Sequence, residues 1–268
     1  MNILSLFDGI SCGRLALGRA GISVTNYYSS EIDPYAIQVS NNNYPDLIRL
    51  GDIRNVSSKN LPKIDIALAG SPCQGFSSSG YKLGLNDPRS SLFFEFVRLL
   101  NECKPRYFLL ENVCMKKEWS DIITSHVGVE PVTINSSLVS AQLRKRMYWT
   151  NIPFQGQPEA EDIILQDIIE DGVVDRDKSY CLTVSYSKGS SLQYDYIKRK
   201  ARQVVFDGSV DGYRRLTPLE CERLQTLPDG YTAGVSDYQR YKMLGNAWTV
   251  DVISHLLSGI DKGGGDKL

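Results

Sequence analysis

The sequence predicts an α/β fold with a mostly parallel sheet covered by helices, on three observations. Through residue 150, short apolar runs of strand length alternate with longer stretches of helical character. Three successive early strands end at a carboxylate, as expected where an open sheet delivers side chains to one edge. The 268 residues are 42% hydrophobic, enough for one large domain with a full core, with or without a small appendage.

In chain order, "NILSLF", "NYYSS", "IDIALA", "RYFLLEN", "PVTIN" and "RMYWT" read as strands, and a further short strand ends at "GDI". Between them, "RLALGRAG" reads as a helix closed by Gly21 and "DPYAIQVSNNN" as a second. "SSLFFEFVRLLNEC" reads as a third, with Leu92, Phe96, Leu99 and Leu100 on one apolar face. Residues 1–151 are thus the expected main domain. The pattern weakens afterwards, and 152–215 reads as a linker and a small polar recognition insert rich in Ser, Tyr and Lys. Two capping boxes restart helices within 216–260, at Thr217-Pro218-x-Glu220 and at Ser236-x-x-Gln239, the second helix stopping at Gly245. "TVDVISHLL" is a last helix, and 261–268 reads as a frayed tail.

The formal net charge of −1 decides nothing about a polyanionic partner, because steering depends on where charge sits. Between residues 176 and 215, nine Lys or Arg stand against four Asp, so that segment is suited to phosphates. Six cysteines, Cys12, Cys73, Cys103, Cys114, Cys181 and Cys221, form no C-x-x-C pair and no zinc-type spacing, so neither a metal site nor a disulfide framework is expected. No run of about 18 apolar residues is available to span a bilayer, and the expected location is cytoplasmic.

Four short motifs carry chemistry. "SLFDGISCG" follows the first strand, and Gly9 and Gly13 let backbone approach a ligand closely; a plain turn explains two glycines equally well. Asp8, Glu31 and Asp52 at successive strand ends, with no cation in the loop other than Arg14, favour a nucleoside cofactor without phosphates. "GSPCQGFSSSG" places Cys73 just past a strand, between a rigid proline and a Gly/Ser-rich loop. A free cysteine is commonly a buried small hydrophobe, whereas a thiol at that edge is presented as a nucleophile that needs nearby positive charge or loss of its proton. "FLLENV" ends a strand at Glu111, either a proton-handling carboxyl or part of a helix start with Asn112. "QLRKRMYW" puts Gln142, Arg144 and Arg146 on one side of an extended segment, where paired guanidiniums suit a phosphate or a carbonyl oxygen.

"FDGISCG", "SEID", "GDI", "SPCQGFS", "LLENV", "QLRKR", "RRLTPLECERLQTLPDGY" and "LGNAWTV" occur in the order and approximate spacing of the DNA cytosine-5 methyltransferase family, and the chain resembles that family from Asn2 to about Leu257. "SLFFEFVRLL" and the tryptophan of "GNAWTV" are most similar to the de novo branch, in a compact form resembling phage or bacterial enzymes. The resemblance implies a Rossmann-like S-adenosylmethionine-dependent fold, a mixed sheet with helices on both faces and a small target-recognition region. It implies that Phe7, Asp8, Gly9, Ile10, Ser11 and Cys12 line the methionine side of S-adenosylmethionine, that Glu31 holds the ribose beside Ile32, and that Asp52 and Ile53 meet the adenine. Asn246, Ala247 and Trp248 would close the cofactor site. Cys73 would attack carbon 6 of cytosine, Glu111 would hydrogen-bond ring N3 and the amine, and Arg144 and Arg146 would engage O2 and phosphates. Pro72, Gln74, Ser77, Asn112, Gln142, Lys188, Arg199 and Arg202 complete the implied substrate contacts, and "GFSSSGYKLGLNDPRS" the implied lid. The partner implied is duplex DNA, and the de novo branch pairs through its sheet edge, which implies a homo-oligomer. A transfer RNA substrate and a non-catalytic nucleic-acid-binding partner are the alternatives. The first glycine loop departs from the family's usual two closely spaced glycines, because Ile10-Ser11-Cys12 intervenes between Gly9 and Gly13.

Overall fold

A computed structural model describes residues 1–71, 91–188, 196, 201–208 and 212–261. Its centre is a seven-stranded sheet of β1 (Asn2–Leu6), β2 (Asn26–Ser30), β3 (Ile48–Arg49), β4 (Ile66–Gly70), β5 (Tyr107–Val113), β6 (Val132–Asn135) and β7 (Lys145–Thr150), in the order β3-β2-β1-β4-β5-β7-β6. The first five run parallel, while β7 is antiparallel to both β5 and β6. The direction of chain progression reverses between β1 and β4. A crevice opens at the carboxyl ends of the strands at such a point, and that is where open α/β sheets bind ligands.

Alternation along the strands divides the core. Leu4, Leu6, Ala67, Ala69, Phe108, Leu110 and Trp149 pack on one face under α3 (Ser91–Cys103) and α4 (Lys117–Val127). Ile3, Ile66, Leu68 and Leu109 pack on the other, under α1 (Cys12–Arg19), α2 (Pro34–Asn43) and the C-terminal helices. Such burial on both faces is why β4 reads as a continuous apolar run. The buried stripe of α3 is Phe93, Phe96, Val97 and Leu99, so Leu92 and Leu100 lie at its margin rather than at its centre. Helix α4 went unforeseen, although Trp119, Ile122, Ile123 and Val127 recur at helical spacing and Ile123 and Val127 join the core; only Ser120 and Ile123 of its 11 residues are buried.

The C-terminal segment crosses back onto this sheet through α6 (Pro218–Leu224), α7 (Asp237–Asn246) and α8 (Val250–Leu257). At α6 the expected capping box forms: the Thr217 hydroxyl accepts from Glu220 N, and the Glu220 carboxylate accepts from Thr217 N. At α7 it does not, since Ser236 caps without a side-chain hydrogen bond; the helix also runs one residue past Gly245, through Asn246. Charged contacts fasten the return: Arg19 donates to Asp251 at 2.7 Å and Lys242 to Asp33 at 2.6 Å. Between sheet and return, 152–215 contains only α5 (Leu165–Ile168) and the two-residue ribbon of β8 (Val204–Val205) and β9 (Arg214–Arg215) among its described residues. No helix among the described residues is long and apolar enough to cross a membrane.

Candidate active site

The loop after β1 is an unusual backbone. Phe7, Gly9 and Ser11 have φ of +57°, +55° and +62°, and two of these three carry a Cβ. Left-handed conformations of that kind persist only when the surroundings enforce them, and Asp8 does so here. Its carboxylate, 9% exposed, accepts from the hydroxyls of Ser5 (2.6 Å), Ser11 (2.6 Å), Tyr27 (2.7 Å) and Ser29 (2.7 Å). Asp8 therefore faces inward and shapes the loop, rather than offering free oxygens to a ligand as a pocket wall would. Ser5, Tyr27 and Ser29 lie scattered along β1 and β2, and nothing in their spacing marks them as one cluster.

Glu31 ties the next strand end to this loop by accepting from Gly9 N at 2.8 Å and from the backbone amides of Ile32 and Asp33. Ile32 beside it is 67% exposed, a large apolar side chain left bare next to carboxylates. Asp52 caps a single 3-10 turn and is paired with the Arg54 guanidinium, whose hydrogen bonds lower its pKa to about 2. Ile53 is buried beneath it. Cys12 is also buried, and that burial pushes its thiol up to about 12, which leaves it protonated and inert. A Cβ built on Gly9 meets nothing within 4 Å, so the loop faces open space there.

The other half of the crevice lies at the end of β5. Glu111 pairs in register with Gly70 of β4, placing it beside the strand that leads towards Cys73. Its carboxylate is held from two sides, Oε1 by Arg146 Nε at 3.0 Å and Oε2 by the Trp248 indole N–H at 3.2 Å. Burial, the largest single influence, draws the Arg146 guanidinium down, but Glu111, Cys181 and Tyr148 together outweigh it, so its pKa ends above the ordinary arginine value. Asn112 is buried, and its amide donates to Ser71 Oγ at 3.0 Å, joining the ends of β4 and β5.

Three expected substrate contacts are placed elsewhere. Gln142 is fully buried and donates to Leu224 O and Gln225 Oε1. The Arg144 guanidinium, 3% exposed, donates to the carbonyls of Leu182, Gly245 and Ala247. Both face the returning C-terminal segment rather than the crevice. Arg202 is 8% exposed, and its burial leaves little guanidinium surface for a phosphate. Among the described residues of the basic segment, Arg176 pairs with Asp175, Lys178 donates to Ser140 O and Ile163 O, and Arg214 pairs with Asp171 and the buried Glu220. Lys188 is exposed, 5.5 Å from the Tyr238 ring. Pro72, Cys73, Gln74, Ser77, Arg199, the expected lid and residues 262–268 of the tail lie outside the described residues.

The model of the C-5 cytosine-specific DNA methylase family matches residues 1–122 and 129–262. The chain belongs to that family. As a member it is a DNA cytosine-5 methyltransferase, and its mixed seven-stranded sheet is the Rossmann-like methyltransferase fold. Type II methyltransferase M1.ScrFI of Lactococcus lactis subsp. cremoris is 30% identical over 94% of this chain and 76% of its own length. Type II methyltransferase M.NlaX of Neisseria lactamica is 30% identical over 94% and 93%. The crystal structure of S. pombe Dnmt2 methyltransferase superposes with a TM-score of 0.71 at 20% identity, covering 96% of this chain and 97% of that one. The Entamoeba histolytica methyltransferase EhMeth gives 0.75 at 18% identity over 97% of each chain. At those identities the two structures share the fold with this methyltransferase. Among its described residues, no group of three or more His, Cys, Asp or Glu is placed to hold a metal ion.

Proposed function

We propose that this methyltransferase takes its methyl group from S-adenosylmethionine and delivers it to carbon 5 of a cytosine rotated out of duplex DNA, with Cys73 as covalent nucleophile. The residues fit the donor. Glu31, tied to the glycine loop, would hold the ribose, Asp52 at the start of its 3-10 turn would meet the adenine, Ile32 offers a bare apolar surface for a flat base, and Arg14 is turned towards Asp46. A phosphate-free nucleoside suits that arrangement. When bound, the sulfonium supplies an electrophilic methyl.

Carbon 5 of cytosine is a weak nucleophile, so addition of a thiolate at carbon 6 is needed to turn the ring into an enamine that attacks the methyl. The observation that carries this reading is the position of Glu111, held at the end of β5 by Arg146 and in register with Gly70, three residues before Cys73. A protonated carboxyl there would donate to ring N3 and neutralise the negative charge that the thiolate drives into the ring; after methyl transfer, loss of the carbon 5 proton to a base expels the thiolate and restores the ring. Rotating the base out of the stack costs a few kcal/mol, recovered by contacts in the pocket. Residues 152–215 are the target-recognition region in this reading, with Lys188 a phosphate contact.

The test is transfer of labelled methyl to unmethylated duplex DNA and, in parallel, to bulk transfer RNA. Cys73→Ser should lose all transfer while retaining affinity for S-adenosylmethionine. Undiminished transfer by that variant removes the covalent step, and labelling confined to RNA removes duplex DNA as the substrate.

A further inference from the structure

Trp248 is more than a lid on the cofactor side. Its indole lies against Gly70, at the end of β4, where a Cβ would stand 2.9 Å from the indole nitrogen. Gly70 does not have positive φ, so the absence of a side chain, rather than backbone freedom, is what admits the ring. Gly13 of α1 borders the ring more loosely: a Cβ there would meet Leu68 at 2.8 Å and Tyr27 at 3.0 Å before touching the indole at an ordinary 3.4 Å. From this position the indole N–H points at Glu111 Oε2, while Arg146 takes Oε1. A carboxylate held on one oxygen by a guanidinium remains free to swing about that contact. Held on both, its plane is fixed.

The turn carrying Trp248 is itself held by the residue that precedes β7. Arg144 donates to Gly245 O at 3.3 Å and Ala247 O at 2.9 Å, and Thr249 donates to Gln225. Arg146 of β7 and Arg144, the residue just before that strand, therefore reach Glu111 by separate routes, Arg146 directly and Arg144 through the end of α7 and the turn that carries Trp248.

We infer that Trp248 is a positioning residue for Glu111, orienting the carboxylate towards the cytosine ring and linking that orientation to the glycine loop on the cofactor side. The inference rests on the proposed role of Glu111 in the reaction.

The experiment compares steady-state methylation of duplex DNA by Trp248→Phe, Gly70→Ala, the double variant and Glu111→Gln. Phe fills the same space without the N–H, so kcat should fall about tenfold, the change carried by one charge-assisted hydrogen bond. The fall should persist at saturating S-adenosylmethionine, with KM for DNA and Tm at wild-type values. Gly70→Ala should produce a similar fall by pushing the ring aside, and the double variant should be no worse than the weaker single one. Trp248→Phe at wild-type kcat, or with a loss wholly in KM or Tm, overturns the inference. Full activity in Glu111→Gln would instead remove the role of Glu111 itself, a separate failure.

Discussion

The two halves of the molecule treat charge in opposite ways. At the carboxyl edge of the sheet, Glu31 is oriented by backbone amides and Glu111 by one guanidinium and one indole N–H. In the segment from 152 to 215, Arg176, Lys178 and Arg214 are neutralised by neighbouring carboxylates or by carbonyls within the protein. A small insert with little core gains its definition from polar contacts, so many of its cations hold it together and are not available to a partner. Counting charge along a chain therefore overstates what a poorly packed segment can offer DNA.

The strongest challenge to this contrast is Glu220→Ala. Glu220 has no exposure and joins the β8–β9 ribbon, through Arg214, to α6. Removing one partner of such a pair should lower unfolding stability by about 3 kcal/mol in urea titration, and an unchanged midpoint would show that the ribbon is held in some other way. Next comes Asp8→Asn, which deprives four hydroxyls of a charged acceptor. A loss of about 2 kcal/mol is expected, with weaker S-adenosylmethionine binding by calorimetry, because the left-handed turns at Phe7 and Ser11 lose their support. Wild-type affinity in that variant would separate loop shape from cofactor binding.

Salt dependence sharpens the contrast at lower amplitude. Lys188→Ala should reduce the slope of log K for DNA against log salt by about one, whereas Arg176→Ala should leave the slope unchanged because Asp175 already neutralises that guanidinium. Equal slopes for the two variants would mean the pairing does not survive on DNA. The smallest effect belongs to Asp52. Its folded pKa of about 2 lies below the ordinary aspartate value, so its stabilising pairing with Arg54 is complete above about pH 4 and is lost as pH falls towards 2. The pair is exposed to solvent, and Asp52→Asn should flatten acid unfolding only slightly in that window.

Much of this was legible in the sequence because it is written locally. Strands buried on both faces announce themselves as apolar runs, and Glu31 directly follows β2 as expected, whereas the strand expected to end at "GDI" stops at Arg49 and leaves Asp52 to cap a 3-10 turn. The Thr217 box also needs only four consecutive residues, and it formed. What escaped depends on long-range geometry. Gln142 and Arg144 alternate as expected of an extended segment, yet which side faces the crevice is decided by the C-terminal return, more than 80 residues later. The contact between Trp248 and Glu111 spans 137 residues, and the space that allows it is recorded in sequence only as a glycine, Gly70. Ser236 shows the converse failure, a correct local motif whose side chain makes no capping bond.

Because the indole arrives from the far end of the chain, order of synthesis matters. A ribosome that has released β1 to β7 has made a sheet whose central cleft still lacks its plug against Gly70. Until residue 248 emerges and α8 docks on α1, the nascent enzyme holds its carboxylate by one hand only, and competence to modify DNA should appear abruptly once α8 has been made.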